Sequence, residues 1–257
     1  MENRFEALTS LEVKERIESG VLTTVFPTGS LEQHGPHCPL GTDALIARTI
    51  ARGVADRLEA LCLPPLWFGV SPHHMEFAGS LTIRPSVFAD LVEDLLESLI
   101  HHGIKNVLIL NGHGGNTASI DTARTMVRYH HPEIFTVLSS VWVALQDVYQ
   151  DLPPEARQEN WRTMIAHGGL FETSVIMAVE EGMVKLDQAV PVSVDKYVLA
   201  TDPALEVTVS MKDLSEIGSN GDPHGSSPEL GRMFVEKSVE IITEKYHKAK
   251  EVFRPGS

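Results

Sequence analysis

The stretch Val107-Leu108-Ile109-Leu110-Asn111-Gly112-His113-Gly114-Gly115-Asn116 decides the fold. Four consecutive branched aliphatic residues with no polar alternation predict a strand buried on both faces, and such strands belong to parallel sheets covered by helices. Asn111-Gly112 ends the strand, and a helical pattern follows over residues 116–129.

The same strand, loop, helix order recurs on either side. Residues 21–27 form a short β-branched run that predicts a strand. After a loop rich in Gly, Pro and His, Thr42 is placed to cap a helix starting near Asp43, with Ile46, Ile50 and Val54 on its inner face. Residues 61–70 read as a strand interrupted by prolines, and residues 85–102 as an amphipathic helix stopped by Gly103. A strand over 134–141, a helix over 170–181 closed by Gly182, and a long last helix over 228–247 complete the pattern. The expected fold class is therefore α/β, a three-layer αβα sandwich with a mostly parallel central sheet. In such folds the loops leaving the C-terminal ends of strands carry function. No linker, charge block or internal repeat divides the chain, so one domain over 1–257 is expected.

Composition narrows the partners. The net charge of −14 disfavours nucleic acid, whose binding depends on Lys and Arg neutralising phosphates. No apolar run reaches the roughly 18 residues that a membrane span requires. Two cysteines, Cys38 and Cys62, and no recognisable signal segment imply a reducing, cytoplasmic setting. The unusual figure is twelve histidines, which raises the expectation of a metal or acid–base site.

Four loop segments could carry chemistry. In Glu32-Gln33-His34-Gly35-Pro36-His37, followed by Asp43, a carboxylate and an imidazole two apart on extended chain share a side, and a second carboxylate returns at a helix start. Mixed N/O donors of this kind suit a divalent metal; the bland alternative is that Glu32 and Asp43 cap backbone amides. In loop 112–115, glycines allow close backbone approach, so amide N–H groups can meet an anion while His113 projects into the same space. The competing reading, a phosphate-cradling loop, lacks the Lys and Ser/Thr of a nucleotide P-loop. His167 and Glu172 precede an apolar helix, where Glu172 could equally be an ordinary helix-start carboxylate. Ser71, His73 and His74 follow a strand and are expected to line a pocket, whereas residues 218–226 read as a flexible loop, glycine-rich enough to approach a site.

Together these segments resemble the creatininase family of amidohydrolases. The pieces are Pro27-x-Gly29-Ser30-x-Glu32-Gln33-His34-Gly35-Pro36-His37, Gly41-Thr42-Asp43, Asn111-Gly112-His113-Gly114-Gly115-Asn116, His167-x-Gly-x-x-Glu172-Thr173-Ser174 and Gly221-Asp222-Pro223, in family order over nearly the whole chain. The resemblance implies a homohexamer with a pair of divalent metals, Zn, Mn or Fe, acting on a small molecule. It makes Glu32, His34, Asp43, His113 and Glu172 metal ligands, with Asp43 as the bridge and His37 outside the set. It gives His167 proton transfer, with Glu172 as the other expected catalytic residue, and puts Ser71 and the loop with Gly112, Gly114 and Gly115 near substrate, where His74 is expected from its place on the pocket loop. Two departures stand out. The family enzyme carries a glutamate where this chain has Gly115, so either Glu172 substitutes for it or the second metal is weak, and Trp161 does not match the spacing of the family's substrate-covering tryptophan. Creatinine is thereby disfavoured as substrate. The expected chemistry is hydrolysis of a C–N bond in a cyclic amide or formamide by metal-activated water. The alternatives are a keto-inositol ring, a peptide-derived cofactor precursor, or a non-catalytic metal- or ligand-binding module.

Overall fold

The strands β1 (Thr23–Thr28), β2 (Leu61–Cys62), β3 (Asn106–Asn111) and β4 (Phe135–Ser140) form an all-parallel sheet in the order β2-β1-β3-β4. The register aligns Thr28 with Asn111 and Asn111 with Ser140, so the strands end at one level. The computed structural model describes residues 2–253 apart from 143–144, 153, 155–156, 158–163 and 203; Trp161 therefore lies outside the described residues.

Among the described residues the α-helices are α1 (Ser10–Glu18), α2 (Thr42–Leu58), α3 (Pro85–His101), α4 (Thr117–His130), α5 (Leu145–Val148), α6 (Leu170–Val179), α7 (Asp195–Ala200), α8 (Met211–Leu214) and α9 (Pro228–Phe253). A two-stranded antiparallel ribbon, β5 (Thr201–Asp202) and β6 (Leu205–Glu206), separates α7 from α8. No helix among the described residues is long and apolar enough to cross a membrane.

Alternation along the strands builds two cores. Val25, Cys62, Leu108 and Leu110 face one side, where Ile46, Ile50 and Val54 of α2, Val175 and Ile176 of α6 and Phe234 and Ile242 of α9 pack on them. Phe26, Leu61, Val107 and Ile109 face the other, against Phe88, Val92 and Leu96 of α3 and Ile120, Ala123 and Val127 of α4. Since side chains on a strand alternate between faces, only a sheet covered on both sides can bury such unbroken apolar runs. The three-layer αβα class expected from the sequence is thus the observed one.

Some boundaries differ for physical reasons. The strand expected over 61–70 is confined to Leu61–Cys62, plus one bridge from Leu66 to Thr28, because Pro64 and Pro65 cannot donate to a ladder. Thr42 is the first helical residue of α2 rather than its cap: the cap position is Gly41, and the Thr42 hydroxyl donates to Pro39 O at 2.7 Å. The last helix continues beyond 247 to Phe253.

Two glycines set the frame of the site. A Cβ on Gly29, just past β1, would run into the backbone N of Ala44, and one on Gly112, just past β3, would come within 2.5 Å of Asp43 O. The first turn of α2 is therefore wedged between the ends of two neighbouring strands, which only glycine allows. Asp43 is delivered by that wedge to the centre of the strand ends.

Candidate metal centre

Four segments meet above the strand ends. The β1 loop brings Glu32 and His34, α2 brings Asp43, the β3 loop brings His113, and the start of α6 brings His167 and Glu172. Glu32, His34, Asp43, His113 and Glu172 are all buried.

The ligand atoms fall into overlapping groups within 4.8 Å of one another: Glu32, Asp43 and His113; His34, Asp43 and Glu172; and Glu32, His34 and His167. Asp43 belongs to the first two. Its Oδ1 lies 2.9 Å from His34 Nε2, and its Oδ2 lies 3.3 Å from His113 Nδ1. Glu32 Oε2 is 3.1 Å from His113 Nδ1, and Glu172 Oε2 is 3.7 Å from His34 Nε2.

The surroundings fit a cation. His34 Nδ1 donates to Glu32 O at 3.1 Å, His113 Nε2 to Val70 O at 2.9 Å, and His167 Nε2 to Gln33 O at 2.6 Å. A carbonyl can only accept, so each ring is held with its N–H outward and its other nitrogen turned toward carboxylates, as metal-ligating histidines are. Asp43 Oδ2 is buried with no hydrogen-bond partner. Three buried carboxylates converging on one spot are costly unless positive charge joins them.

The protonation states reflect the same strain. Burial alone would raise Glu32, but the His113 and His74 rings outweigh it and hold the carboxyl at about 2. Burial opposes the charged form of His34, yet Asp43 and Glu172 raise it to about 10; His113 is raised well above its ordinary value against the same burial by Glu32 and Asp43. For Glu172, burial wins over His34 and, with the Asp43 charge, raises the carboxyl to about 7. His167 is pushed well below its ordinary value and His74 down to about 3, in both cases chiefly by burial. Both rings are neutral near pH 7.

A supporting layer surrounds these groups. Ser71 Oγ donates to Glu32 Oε2 at 2.5 Å and accepts from Ser30 Oγ at 2.6 Å. Fully buried, Ser71 sits beneath Glu32 and is not among the residues that line the cavity. His74 accepts at Nδ1 from Gln33 Nε2 at 2.7 Å, which leaves its Nε2–H facing Glu32 Oε1 at 3.3 Å. Gly168 N donates to Glu172 Oε2 at 2.7 Å. His37 stands outside the cluster and donates through Nε2 to Gly168 O at 3.0 Å.

The centre forms the floor of a cavity of about 570 Å³ that Gly112, Gly114, Gly115, His73 and His74 also line. Much of the rest of its lining is apolar, from Trp142, Ile165, Tyr197, Val207, Met211 and Leu214. Within the loop after β3, the Gly112 N–H is already donated to Thr28 O at 2.8 Å and the His113 N–H to Asn111 Oδ1 at 3.2 Å. Gly114 and Gly115 open the 3-10 turn Gly114–Asn116, where N–H groups have no intrahelical acceptor. Gly115 has no room for a side chain: a Cβ there would collide with Val70 O and lie 3.1 Å from the His73 ring. Glu172 groups with His34 and Asp43, whereas His113 groups with Asp43 and Glu32.

Residues 218–226 depart from the flexible loop expected. Ser219 and Asn220 are buried, and the Asn220 side chain lines the cavity. Sequence reasoning missed Asn220, since nothing near it in the chain reports its contact with His167.

The profile of the family described as "Creatininase: Creatinine amidohydrolase" matches residues 6–246. The chain belongs to the creatininase family. Among its relatives is the creatinine amidohydrolase of Pseudomonas putida, 32% identical over 77% of this chain and 81% of that one. A mycofactocin precursor peptide peptidase of Mycolicibacterium smegmatis is 29% identical over 86% and 83% respectively. A solved structure described as "Creatininase Mn" superposes with a TM-score of 0.85, at 28% identity, over 99% of this chain and all of that one. A creatininase-family hydrolase with this donor set has divalent-metal chemistry within reach.

Proposed function

We propose that this creatininase-family hydrolase is a metal-dependent amidohydrolase that cleaves a C–N bond in a small cyclic amide or formamide, within one hydrolase domain over 1–257. The observation that carries the reading is the sharing of Asp43 between two ligand groups. Glu32, Asp43 and His113 would hold one divalent ion, and His34, Asp43 and Glu172 a second, with Zn, Mn and Fe all suited to such N/O donors. When bound, such ions supply Lewis acidity toward a substrate carbonyl and toward water.

The chain's own groups would do the rest. His167, neutral and with a free lone pair at Nδ1, takes a proton from the attacking water and returns it to the leaving nitrogen. Its bond to Gln33 O keeps the ring from rotating. Gly114 and Gly115 line the cavity and their N–H groups would meet the substrate carbonyl, while the apolar lining would keep bulk water from the reacting groups. Hexameric assembly and a reducing, cytoplasmic location are part of the proposal.

A second reading, a peptide-derived precursor as substrate, is favoured by one observation: the cavity and its apolar lining offer more room than a single small ring needs. The test is a screen of cyclic amides, formamides and short peptides against metal-loaded protein, alongside Glu172→Gln and His113→Ala. Both variants should lose turnover while keeping the fold. Normal turnover by His113→Ala defeats the assignment, and failure to take up any metal favours a non-catalytic binding module.

A further inference from the structure

Among the described residues three groups of side chains could hold a cation, and the two-ion scheme above uses two of them. The third joins Glu32, His34 and His167, whose ligand atoms all lie within 4.8 Å of one another. His34 Nδ1 donates to Glu32 O, so Nε2 carries the ring's one lone pair, and that nitrogen faces Asp43 Oδ1 at 2.9 Å. An ion held by His34, Asp43 and Glu172 takes that lone pair. Glu32 Oε1 and His167 Nδ1 then remain, 3.8 Å apart.

Both atoms keep coordinating capacity. His167 donates through Nε2 to Gln33 O at 2.6 Å, which leaves Nδ1 as the acceptor end of the ring. Glu32 Oε1 faces the His74 Nε2–H at 3.3 Å and, as a carboxylate oxygen, has a second lone pair. The other oxygen, Oε2, lies nearer His113, at 3.1 Å, and serves the first ion. Glu32 and His167 both line the cavity, and the His167 side chain is 15% exposed. Two ligands on a tetrahedral zinc, each at roughly 2.0–2.1 Å, stand about 3.4 Å apart, so this pair closes on zinc with a small movement. The donors also select the metal, since imidazole suits zinc whereas manganese and magnesium favour oxygen ligands.

We infer that Glu32 Oε1 and His167 Nδ1 form a third, exchangeable zinc site, filled when zinc exceeds the two ions of the centre, and that zinc there inhibits by taking the lone pair His167 uses for proton transfer. The site itself stands on geometry alone; its inhibitory effect rests on the hydrolase reading. With only two protein ligands, this ion exchanges with solvent while the two inner ions stay.

Calorimetry on protein already loaded with two zinc ions tests the site, with zinc and manganese as probes and no turnover needed. Wild-type protein should take up a further zinc, and His167→Ala should bind it at least about tenfold more weakly, because losing a ligand costs more than losing an outer partner, worth roughly 10–100-fold. Manganese should give no matching event in either protein. Absence of further zinc binding overturns the site, and so does equal binding to wild type and His167→Ala, which would put the ion on exposed histidines such as His101 and His102. If His167→Ala does not fold, anomalous diffraction from a wild-type crystal soaked in excess zinc decides. A third peak about 2.0–2.2 Å from His167 Nδ1 and Glu32 Oε1 supports the site, and a third peak elsewhere, or none, removes it. Zinc bound there without slowing turnover of a substrate from the screen above overturns the inhibition and the proton-transfer role of His167 together, and leaves a metal-dependent hydrolase standing.

Discussion

Asp43 faces His34 through Oδ1 at 2.9 Å, while its other oxygen is left to the His113 side at 3.3 Å. One carboxylate thereby serves two groups of donors, and its loss is expected to differ in kind from the loss of any other. Asp43→Asn should abolish stable binding at both sites, whereas Glu172→Gln should spare the site made by Glu32 and His113. Elemental analysis after metal-supplemented expression should read about zero metals for the first and about one for the second. Equal metal content in the two variants contradicts the shared-ligand arrangement.

Metal uptake should release protons. Without a cation the centre holds them itself: His34 is raised to about 10, His113 lies well above its ordinary value and Glu172 is raised to about 7. Ligands must shed those protons to coordinate. Zinc titrations at pH 7 in buffers of different ionisation enthalpy should therefore show net proton release, and affinity should fall from pH 8 to pH 6.

The stability of the metal-free protein follows the same groups with a definite sign. His34 has a folded pKa above its unfolded one, so its contribution is present below about 6.5 and fades as pH rises through about 10. Glu172 keeps a proton in the folded state that the unfolded chain releases, so stability also declines as pH rises from about 4.5 through about 7. The melting temperature of the chelated protein should drop from pH 6 to pH 9. A rise over that interval would show that other groups govern its stability.

Ser71→Ala removes the hydroxyl that fixes Glu32 Oε2 without touching a donor atom. Outer partners of this kind are worth roughly 10–100-fold in metal affinity, and a loss of that size is expected here with the fold intact. Competition against a chromogenic chelator measures it.

Gly112→Ala tests the wedge at the strand ends. The added methyl would press within 2.5 Å of Asp43 O, and overpacking of this sort costs about 1–3 kcal/mol. Denaturant unfolding should show that loss together with weaker metal binding, since the displaced turn carries Asp43.

Much of this was legible in the chain itself, and the exceptions have physical causes. The run from Val107 to Leu110 announced a doubly covered strand because every residue in it is apolar, and both faces do meet helices. Within 61–70 the prolines announce an interruption, but hydropathy does not say where pairing stops: Pro64 and Pro65 lack the N–H a ladder needs, and the strand is confined to Leu61–Cys62. Ser71 and Asn220 exchange the roles that local sequence suggests: the serine after a probable pocket strand is buried under Glu32, and the asparagine in a glycine-rich loop reaches the cavity. Each role depends on a partner far away in sequence, 39 residues for Ser71 with Glu32 and 53 for Asn220 with His167. Periodicity has no access to such pairs.

The cavity's two sides differ in how they are anchored. Glu32, Asp43 and His113 grow from the ends of the central sheet and the helix wedged between them, whereas Tyr197, Val207, Met211 and Leu214 come from the short helices and small ribbon over 195–214. Substitutions in that outer stretch can alter which molecule is admitted without moving a ligand atom. For an engineer seeking a new substrate specificity, randomising 197, 207, 211 and 214 leaves the reactive machinery as a fixed chassis.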